Sequence, residues 1–216
     1  MEITRYHRFV LARDNFYRNP AAVQRAALAA EYHEPPGYTG FRSTTVYHET
    51  GIKRKLERIL GVRITRWDTD PIGENGVFYM GLSEGKNKEV PGVHSDLPWN
   101  DLTVIVYLTP GLPVDCGTSL WKHRQTGLID PPSARDAKRL GKTREQLCDM
   151  LERDSRLRSR WIEVDRVGYA FNRMVAFPSG ILHSASKHYG GSLAGGRVFQ
   201  TFRIGVDWKS LKIATP

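Results

Sequence analysis

Apolar residues follow a helical spacing in parts of the first 60 positions and a strand-like alternation after them. Asn19 and Pro20 suit a helix N-cap and first turn, and the stretch AAVQRAALAAEY that follows consists mostly of strong helix formers. A second stretch, 50–60, carries an apolar stripe and precedes Gly61, a typical C-cap residue. Two helices are therefore predicted. Their expected buried faces are Val23, Ala27, Leu28 and Tyr32, then Ile52, Leu56, Ile59 and Leu60.

After Gly61 the chain contains short runs rich in β-branched and aromatic residues, bounded by turn formers. These predicted strands are RITRW, GVFYMGL, LTVIVYL, RWIEV, MVAFP and RVFQTFRIGVDW. A helix is predicted at 133–158, with Thr143 and Gln146 as its capping box. The pattern predicts a mainly β sandwich or barrel with flanking helices. We expect one domain, 1–216, with helical support in 1–61 and the β core in 62–216.

Composition is that of an ordinary globular protein. Of 216 residues, 40% are hydrophobic and 25% charged, which argues against disordered and fibrous classes. Cys116 and Cys148 are too few for a disulfide framework and lack zinc-site spacing. No apolar run is long enough for a membrane span, and MEITRYHRFV lacks the apolar core of a secretion signal. We therefore expect a cytoplasmic protein without a membrane partner.

The net charge of +9 fits an acidic small molecule, a nucleic acid or simply a basic surface. Part of the basic excess lies in 135–160, where no aromatic residue interleaves the bases. That pattern favours a solvated helix and makes a nucleic-acid partner the less favoured interpretation. The run 121–124 (WKHR) mixes aromatic and basic side chains. It would either meet an acidic substrate or form a solvated hairpin edge.

The triplet His94-Ser95-Asp96 places an imidazole and a carboxylate on one side of an extended chain. His183 follows a strand-like run and a Pro-Ser-Gly turn. Two histidines and one carboxylate are what a facial iron(II) site needs, and they leave three coordination positions open. Taken singly, the triplet could lie in an exposed loop and His183 could be a core histidine. His188 is an alternative third ligand, but its place beside flexible glycines favours His183.

The last predicted strand has two arginines on one face. Alternation places Arg197, Phe199, Thr201, Arg203 and Gly205 on that face, and Val198, Gln200, Phe202, Ile204 and Val206 on the other. Buried arginines need anions, and a guanidinium can bind a carboxylate through two parallel hydrogen bonds. A dicarboxylate ligand would supply such anions. A solvated face or internal salt bridges are the alternatives.

Together, HSD, the distal PSGILH and the arginine of the next strand resemble the iron(II)/2-oxoglutarate-dependent oxygenases. The segments DNFYRNPAAVQRAAL, HSDLPWNDLTVIVYLTP and CGTSLWKHRQTGL resemble a bacterial group related to the phytanoyl-CoA and prolyl hydroxylases. The resemblance implies a double-stranded β-helix, that is, a jelly roll of cupin type. It also implies Fe(II) bound by His94, Asp96 and His183, with 2-oxoglutarate and O2 as cosubstrates.

By the same resemblance, Arg197 clamps the C5 carboxylate of 2-oxoglutarate. It lies 14 residues after His183, whereas nine to eleven is usual in the family, so Arg203 remains an alternative clamp. Tyr79 and Tyr107 lie on predicted strands and would either reach a 2-oxoglutarate oxygen or be half-buried aromatics. The basic helix falls where this fold often carries a lid.

The implied reaction is hydroxylation of an unactivated C–H bond in a small molecule or an amino-acid or peptidyl substrate. It would be coupled to decarboxylation of 2-oxoglutarate to succinate. The carboxylate of Asp96 argues against a halogenase, whereas desaturation or cyclisation would need the same residues. One alternative is a nucleic-acid-modifying enzyme of the same chemistry, since Arg197 and Arg203 have the spacing of the DNA-alkylation-repair dioxygenases. The other is a non-catalytic metal-binding β-barrel. Oligomeric state is left open.

Overall fold

The computed structural model describes residues 9–34, 40–68, 75–96 and 100–211, and in these ranges the protein is mainly β. The helices are α1 (Pro20–Ala29), α2 (Ile52–Leu60), α3 (Ala134–Leu140) and α4 (Arg144–Asp154), with 3₁₀ turns at Val114–Cys116, Arg158–Arg160 and Trp208–Ser210. The strands are β1 (Leu11–Arg13), β2 (Tyr32–His33), β3 (Phe41–Val46), β4 (Arg63–Arg66), β5 (Val77–Gly81), β6 (Leu102–Tyr107), β7 (Thr118–His123), β8 (Trp161–Val167), β9 (Met174–Pro178), β10 (His183–Ala185) and β11 (Arg197–Asp207). None of the helices within these ranges is long and apolar enough to cross a membrane.

The strands form two antiparallel sheets. The larger has eight strands in the order β1-β9-β6-β11-β5-β3-β2, with β4 also paired to β11. The smaller has three strands in the order β10-β7-β8. The long strand β11 is the centre of the larger sheet because it pairs with β4, β5 and β6.

Alternation along the strands gives the larger sheet two different faces. On one face, Val104 and Phe202 join a core cluster that includes Val23 of α1 and Leu56 of α2. On the other, residues such as Ile105 and Phe177 pack in a cluster with Leu120 of the smaller sheet. The arginines of β11 lie on this second face, in a cavity described below. The predicted alternation of β11 is therefore confirmed.

The helix boundaries follow the local signals in the sequence. The Asn19 side chain accepts a hydrogen bond from the Ala22 amide, and Gly61 ends α2 in the left-handed conformation with φ +69°. The helix predicted over 133–158 is in fact two helices, because Gly141 ends α3 at φ +61°. Thr143 then begins α4 with the predicted capping box to Gln146.

The N-terminal part contributes more to the sheet than the sequence analysis indicated. Helical support was predicted for 1–61, whereas β1 pairs with β9 and β3 pairs with β5. The sequence of β3, FRSTTV, is rich in β-branched residues, and it becomes a strand when β5 offers it a hydrogen-bonding edge.

Candidate metal centre

Backbone hydrogen bonds bring the segment 94–96 against the start of β10. The His94 amide donates to the His183 carbonyl at 2.9 Å, and the His183 amide donates back at 2.8 Å. The Asp96 amide donates to the carbonyl of Ser179 at 2.8 Å, just after β9 ends. The main chain therefore sets the positions of all three predicted ligands before any side-chain contact is considered.

The three side chains converge. The Nε2 atom of His94 lies 3.7 Å from Asp96 Oδ1, and that of His183 lies 3.5 Å from Asp96 Oδ2. One ligand atom from each residue can be chosen so that all lie within 4.8 Å of one another. The side chains of Asp96 and His183 are almost fully buried, whereas that of His94 is half exposed. This arrangement can hold a metal ion with one side facing solvent.

Both imidazoles are oriented through their other ring nitrogen. Nδ1 of His94 lies 3.0 Å from the carbonyl oxygen of Gly92, and Nδ1 of His183 lies 2.8 Å from that of Ile181. A carbonyl oxygen can only accept, so Nδ1 carries the proton in each ring. In the neutral form of each ring, Nε2 then carries a lone pair directed toward the shared centre, as a metal ligand requires.

The Asp96 carboxylate is held from both sides by a cross-strand pair. Thr103 of β6 and Arg203 of β11 are direct partners in the sheet register. The Thr103 hydroxyl donates to Asp96 Oδ2 at 2.6 Å, and Arg203 Nη2 lies 2.9 Å from Asp96 Oδ1. A further hydrogen bond of 3.0 Å joins Thr103 and Ser179. These contacts fix the carboxylate orientation.

Electrostatics favours the protonation states that bind a metal. Burial raises the pKa of Asp96, but the charge of Arg203 and the nearby histidines outweigh it, so the pKa lies well below its usual range. Burial is also the largest influence on His183, and with the neighbouring His94 it lowers the pKa to about 4. At neutral pH the centre therefore presents an ionised carboxylate and a neutral His183 imidazole.

A cavity of about 390 Å³ opens beside the three residues, on the face of the larger sheet that carries the arginines of β11. Of the other residues predicted to act here, Arg197, Arg203 and Tyr79 line this cavity. Tyr107 is not among its lining residues. The insert also reaches the cavity, through Glu152 of α4 and the turn that contains Arg156.

Arg197 is the largest fully buried side chain within the described ranges, with 1% of its surface exposed. Its Nε donates to the carbonyl of Cys116 at 2.6 Å, and its Nη2 donates to that of Gly117 at 3.1 Å. No carboxylate of the described residues pairs with it, and its buried Nη1 has no hydrogen-bond partner among them. A buried guanidinium in this state is suited to receive an anion.

The two predicted tyrosines occupy different places. The Tyr79 ring stacks on Phe199 in the cavity wall, with centroids 5.3 Å apart. The Tyr107 hydroxyl forms a 2.8 Å hydrogen bond with Thr118, and its ring lies 5.4 Å from the Arg197 guanidinium. Tyr107 thus supports Arg197 rather than facing the cavity.

Other residues differ from the expectations or were missed. His188, the alternative third ligand, lies 3.0 Å from Glu89 Oε1 and is outside the group that could hold a metal. In the run 121–124, His123 is buried between Thr126 and Asp154, at 2.9 and 3.1 Å, and does not line the cavity. Sequence reasoning missed Thr103 and Glu89. The alternation of β6 places Thr103 on the arginine face, which is the one signal that pointed to it.

Comparisons with known proteins give a family but no established activity. Among solved structures, the chain is similar to a prolyl hydroxylase in complex with a hypoxia inducible factor oxygen degradation domain peptide fragment from Trichoplax adhaerens. The two share 12% sequence identity at a TM-score of 0.42, over 96% of this chain and 87% of that chain. No curated protein sequence matches. The model of DUF6445, a family of unknown function, matches residues 86–194, just over half of the chain and the part that contains His94, Asp96 and His183. The chain therefore belongs to the DUF6445 family.

Proposed function

We propose that the protein is a non-haem iron(II)/2-oxoglutarate-dependent dioxygenase that hydroxylates a C–H bond of a small molecule or of an amino-acid or peptidyl substrate. The observation that carries this proposal is the convergence of His94, Asp96 and His183 at one end of a cavity that also contains the buried Arg197. Metal ligands and an anion-binding guanidinium are both needed to seat a keto-diacid against a metal.

The residues fit the groups that the proposal requires. Two imidazole Nε2 atoms and one carboxylate form the donor set of a facial Fe(II) site. The unpartnered Nη1 of Arg197 fits the distal carboxylate of 2-oxoglutarate. A volume of about 390 Å³ lies in the usual range of small-molecule pockets. When bound, the iron and 2-oxoglutarate would supply the oxidising power, with 2-oxoglutarate converted to succinate and CO2.

The protein's own side chains would orient the metal and the cosubstrate and shield them from solvent. His94, Asp96 and His183 would hold the metal, and Thr103 and Arg203 would keep the Asp96 carboxylate in place. Arg197 would bind the cosubstrate, which gives Arg203 a supporting role in preference to the clamping role. Tyr79 would contribute to the wall beside the cosubstrate, and Tyr107 would hold Arg197 from behind.

We further propose that the two sheets form a double-stranded β-helix within a single domain, 1–216. The cavity would then lie between the sheets, with the helices α1 and α2 on the outer face of the larger one. The insert formed by α3 and α4 would act as a lid, because Glu152 of α4 and Arg156 in the turn after it line the cavity.

The test is an anaerobic titration of the protein with Fe(II) and then 2-oxoglutarate. We expect a weak visible charge-transfer band that saturates at one equivalent of each. The double variant His94→Ala plus Asp96→Ala should lose the band, while Arg166→Lys, at an exposed ion pair with Glu163, should keep it. Absence of a band in the wild type, or an unchanged band in the double variant, would contradict the proposal.

A second candidate is the same chemistry on a nucleic acid. It is favoured by the net charge of +9 and by the spacing of Arg197 and Arg203, which resembles that of the DNA-alkylation-repair dioxygenases. Oligonucleotide binding measured at several salt concentrations separates the two. A steep fall in affinity with salt would support a nucleic-acid substrate, and no binding at about 50 mM salt would remove it.

A further inference from the structure

An acid–imidazole pair lies in the wall of the cavity, apart from the candidate metal centre. Glu89 Oε1 is 3.0 Å from Nε2 of His188, and both residues line the cavity. His188 is 93% buried, with 7% of its surface exposed. Neither residue belongs to the group that could hold a metal. The function proposed above leaves the pair without a role.

Two glycines make room for this pair. A Cβ atom on Gly81 would lie 2.1 Å from His188 Nδ1, so the imidazole occupies the space that a side chain at position 81 would fill. Gly81 is the direct cross-strand partner of Arg197. A Cβ atom on Gly40 would likewise lie 3.1 Å from Glu89 Oε1. The ring of His188 therefore takes the place of the side chain next to Arg197 across the strand pair.

Two nitrogen atoms at this position are buried and unpaired. Nδ1 of His188 and Nη1 of Arg197 have no hydrogen-bond partner among the described residues. Buried polar atoms without partners are rare and costly, and two in the wall of one cavity point to a ligand that supplies both partners. Because one of the two belongs to a guanidinium, that ligand is an anion.

The protonation of His188 decides how it would meet an anion. With Nε2–H donating to Glu89, the neutral ring leaves a lone pair on Nδ1, which repels a carboxylate. Burial lowers the pKa of His188, Glu89 opposes this, and the nearby charges of Arg197 and Arg158 lower it further. The ring is therefore neutral without a ligand. An incoming carboxylate would compensate the charge of Arg197 and favour the protonated ring.

We propose that His188 is a second cosubstrate-binding residue, which takes up one proton from solvent as 2-oxoglutarate binds and donates from Nδ1 to the distal carboxylate held by Arg197. Glu89 positions the ring and balances its charge. This inference rests on the proposed function, because it assigns the anion as the cosubstrate of that site.

The test is calorimetric titration of the Mn(II)-loaded protein with 2-oxoglutarate in buffers of different ionisation enthalpy. We expect the wild type to take up about one proton per ligand, and its Kd to rise about tenfold per pH unit above neutrality. 2-Oxobutyrate, a keto-acid without the distal carboxylate, should bind without proton uptake. Proton uptake with 2-oxobutyrate equal to that with 2-oxoglutarate would overturn the assignment to the distal carboxylate.

Two substitutions distinguish the roles of the two ring nitrogens of His188. His188→Gln keeps an amide near the Nε2 position for Glu89 but removes the group at Nδ1, so 2-oxoglutarate affinity should fall about tenfold and proton uptake should vanish. His188→Asn places an amide near Nδ1, so affinity should stay within about threefold of the wild type, again without proton uptake. Mn(II) affinity and melting temperature, measured in parallel, check that the fold and the metal centre are intact.

The possible outcomes are distinct. If the wild type binds 2-oxoglutarate without taking up a proton, and His188→Gln binds it equally well, the inference about His188 is wrong while the proposed function stands. If the Mn(II)-loaded wild type binds no 2-oxoglutarate, the proposed function and this inference are both wrong.

Discussion

The Asp96 carboxylate shows how single residues shape the candidate centre. It is buried, yet its two oxygens contact a hydroxyl from β6 and a guanidinium from β11. Contacts of this kind around a metal ligand set its orientation, and their loss typically lowers metal affinity roughly 10- to 100-fold. The strength of metal binding should therefore depend on Thr103 and Arg203 as well as on the ligands.

Thr103→Val should weaken metal binding. The substitution keeps the shape of the side chain but removes the hydroxyl that donates to Asp96. We expect Mn(II) or Fe(II) affinity to fall about 10- to 100-fold, measured by competition with a chelator of known affinity. Thr103→Ser, which keeps the hydroxyl, should bind nearly as the wild type does. Equal affinities for the valine and serine variants would contradict this interpretation.

Arg197→Lys should impair both the cosubstrate site and stability. Lysine keeps the charge but has no planar fork to serve the carbonyls of Cys116 and Gly117 together with a ligand. We expect the 2-oxoglutarate Kd to rise at least about tenfold, and the free energy of unfolding in urea to fall by about 1–3 kcal/mol. Arg166→Lys is the control, because that exposed ion pair with Glu163 contributes at most about 1 kcal/mol.

At the scale of residues, the sequence predicted the site residues that stand in a recognisable local motif. It missed those whose contacts depend on how distant strands and loops pair. The HSD triplet and PSGILH predicted the three side chains that the structure brings together. Thr103 and Glu89 were missed because each meets its partner across strands or loops, a relation that spacing along the chain does not encode. Tyr107 was correctly predicted to lie on a strand. Its position behind Arg197, away from the cavity, depends on the pairing of β6 with β11, which the sequence does not reveal.

At the scale of elements, strand alternation and helix caps account for most of what could be predicted. Asn19, Gly61 and the Thr143 capping box mark helix ends through local hydrogen bonding, so their signals are visible in the sequence. The break at Gly141 was overlooked because the apolar and charged pattern continues across it. β1 and β2 are short, and they become strands only where the larger sheet offers a neighbour.

Gly81→Ala should disturb the packing of the His188 ring against the end of β5. The Cβ atom of the alanine would lie 2.1 Å from Nδ1 of His188, so the imidazole would have to move away from its present position. We expect the free energy of unfolding to fall by about 1–3 kcal/mol, as for other overpacked sites. Gly195→Ala is the matched control, since its Cβ would meet nothing closer than 3.6 Å and should change stability by less than about 0.5 kcal/mol. A stable alanine variant at position 81 with His188 unmoved in NMR spectra would refute this.

At the scale of the whole molecule, the candidate centre depends on both sheets. His183 belongs to the smaller sheet, whereas Thr103 and Arg203 belong to the larger one. Two apolar clusters, one on each face of the larger sheet, hold this arrangement together. Burial at this junction shifts the pKa values of Asp96 and His183, so the protonation of these two residues should influence global stability.

The metal-free protein should lose stability as the pH is lowered from about 6.5 to 4. The pKa of His183 is about 4 in the folded protein against 6.5 as its ordinary value, so in this range the unfolded chain binds a proton that the folded chain does not. The expected loss is up to about 3 kcal/mol, with His188 acting in the same direction. The lowered pKa of Asp96 adds a further loss below its ordinary value of 3.8.

Urea unfolding in EDTA at a series of pH values measures this effect. The control is His183→Asn, which removes one titrating ring and should reduce the slope of the curve between pH 6.5 and 4, leaving the part that is due to His188. A curve of the same slope in wild type and variant would show that His183 does not cause the loss.

The reciprocal hydrogen bonds between His94 and His183 have a mechanical consequence. They tie the 94–96 segment to the smaller sheet, while the bond from the Asp96 amide to Ser179 ties the same segment to the end of a strand in the larger one. A metal ion bound by these side chains would therefore cross-link the two sheets. Slower deuterium exchange at the amides of residues 94, 96 and 183 would register that tightening, without any need to know the substrate.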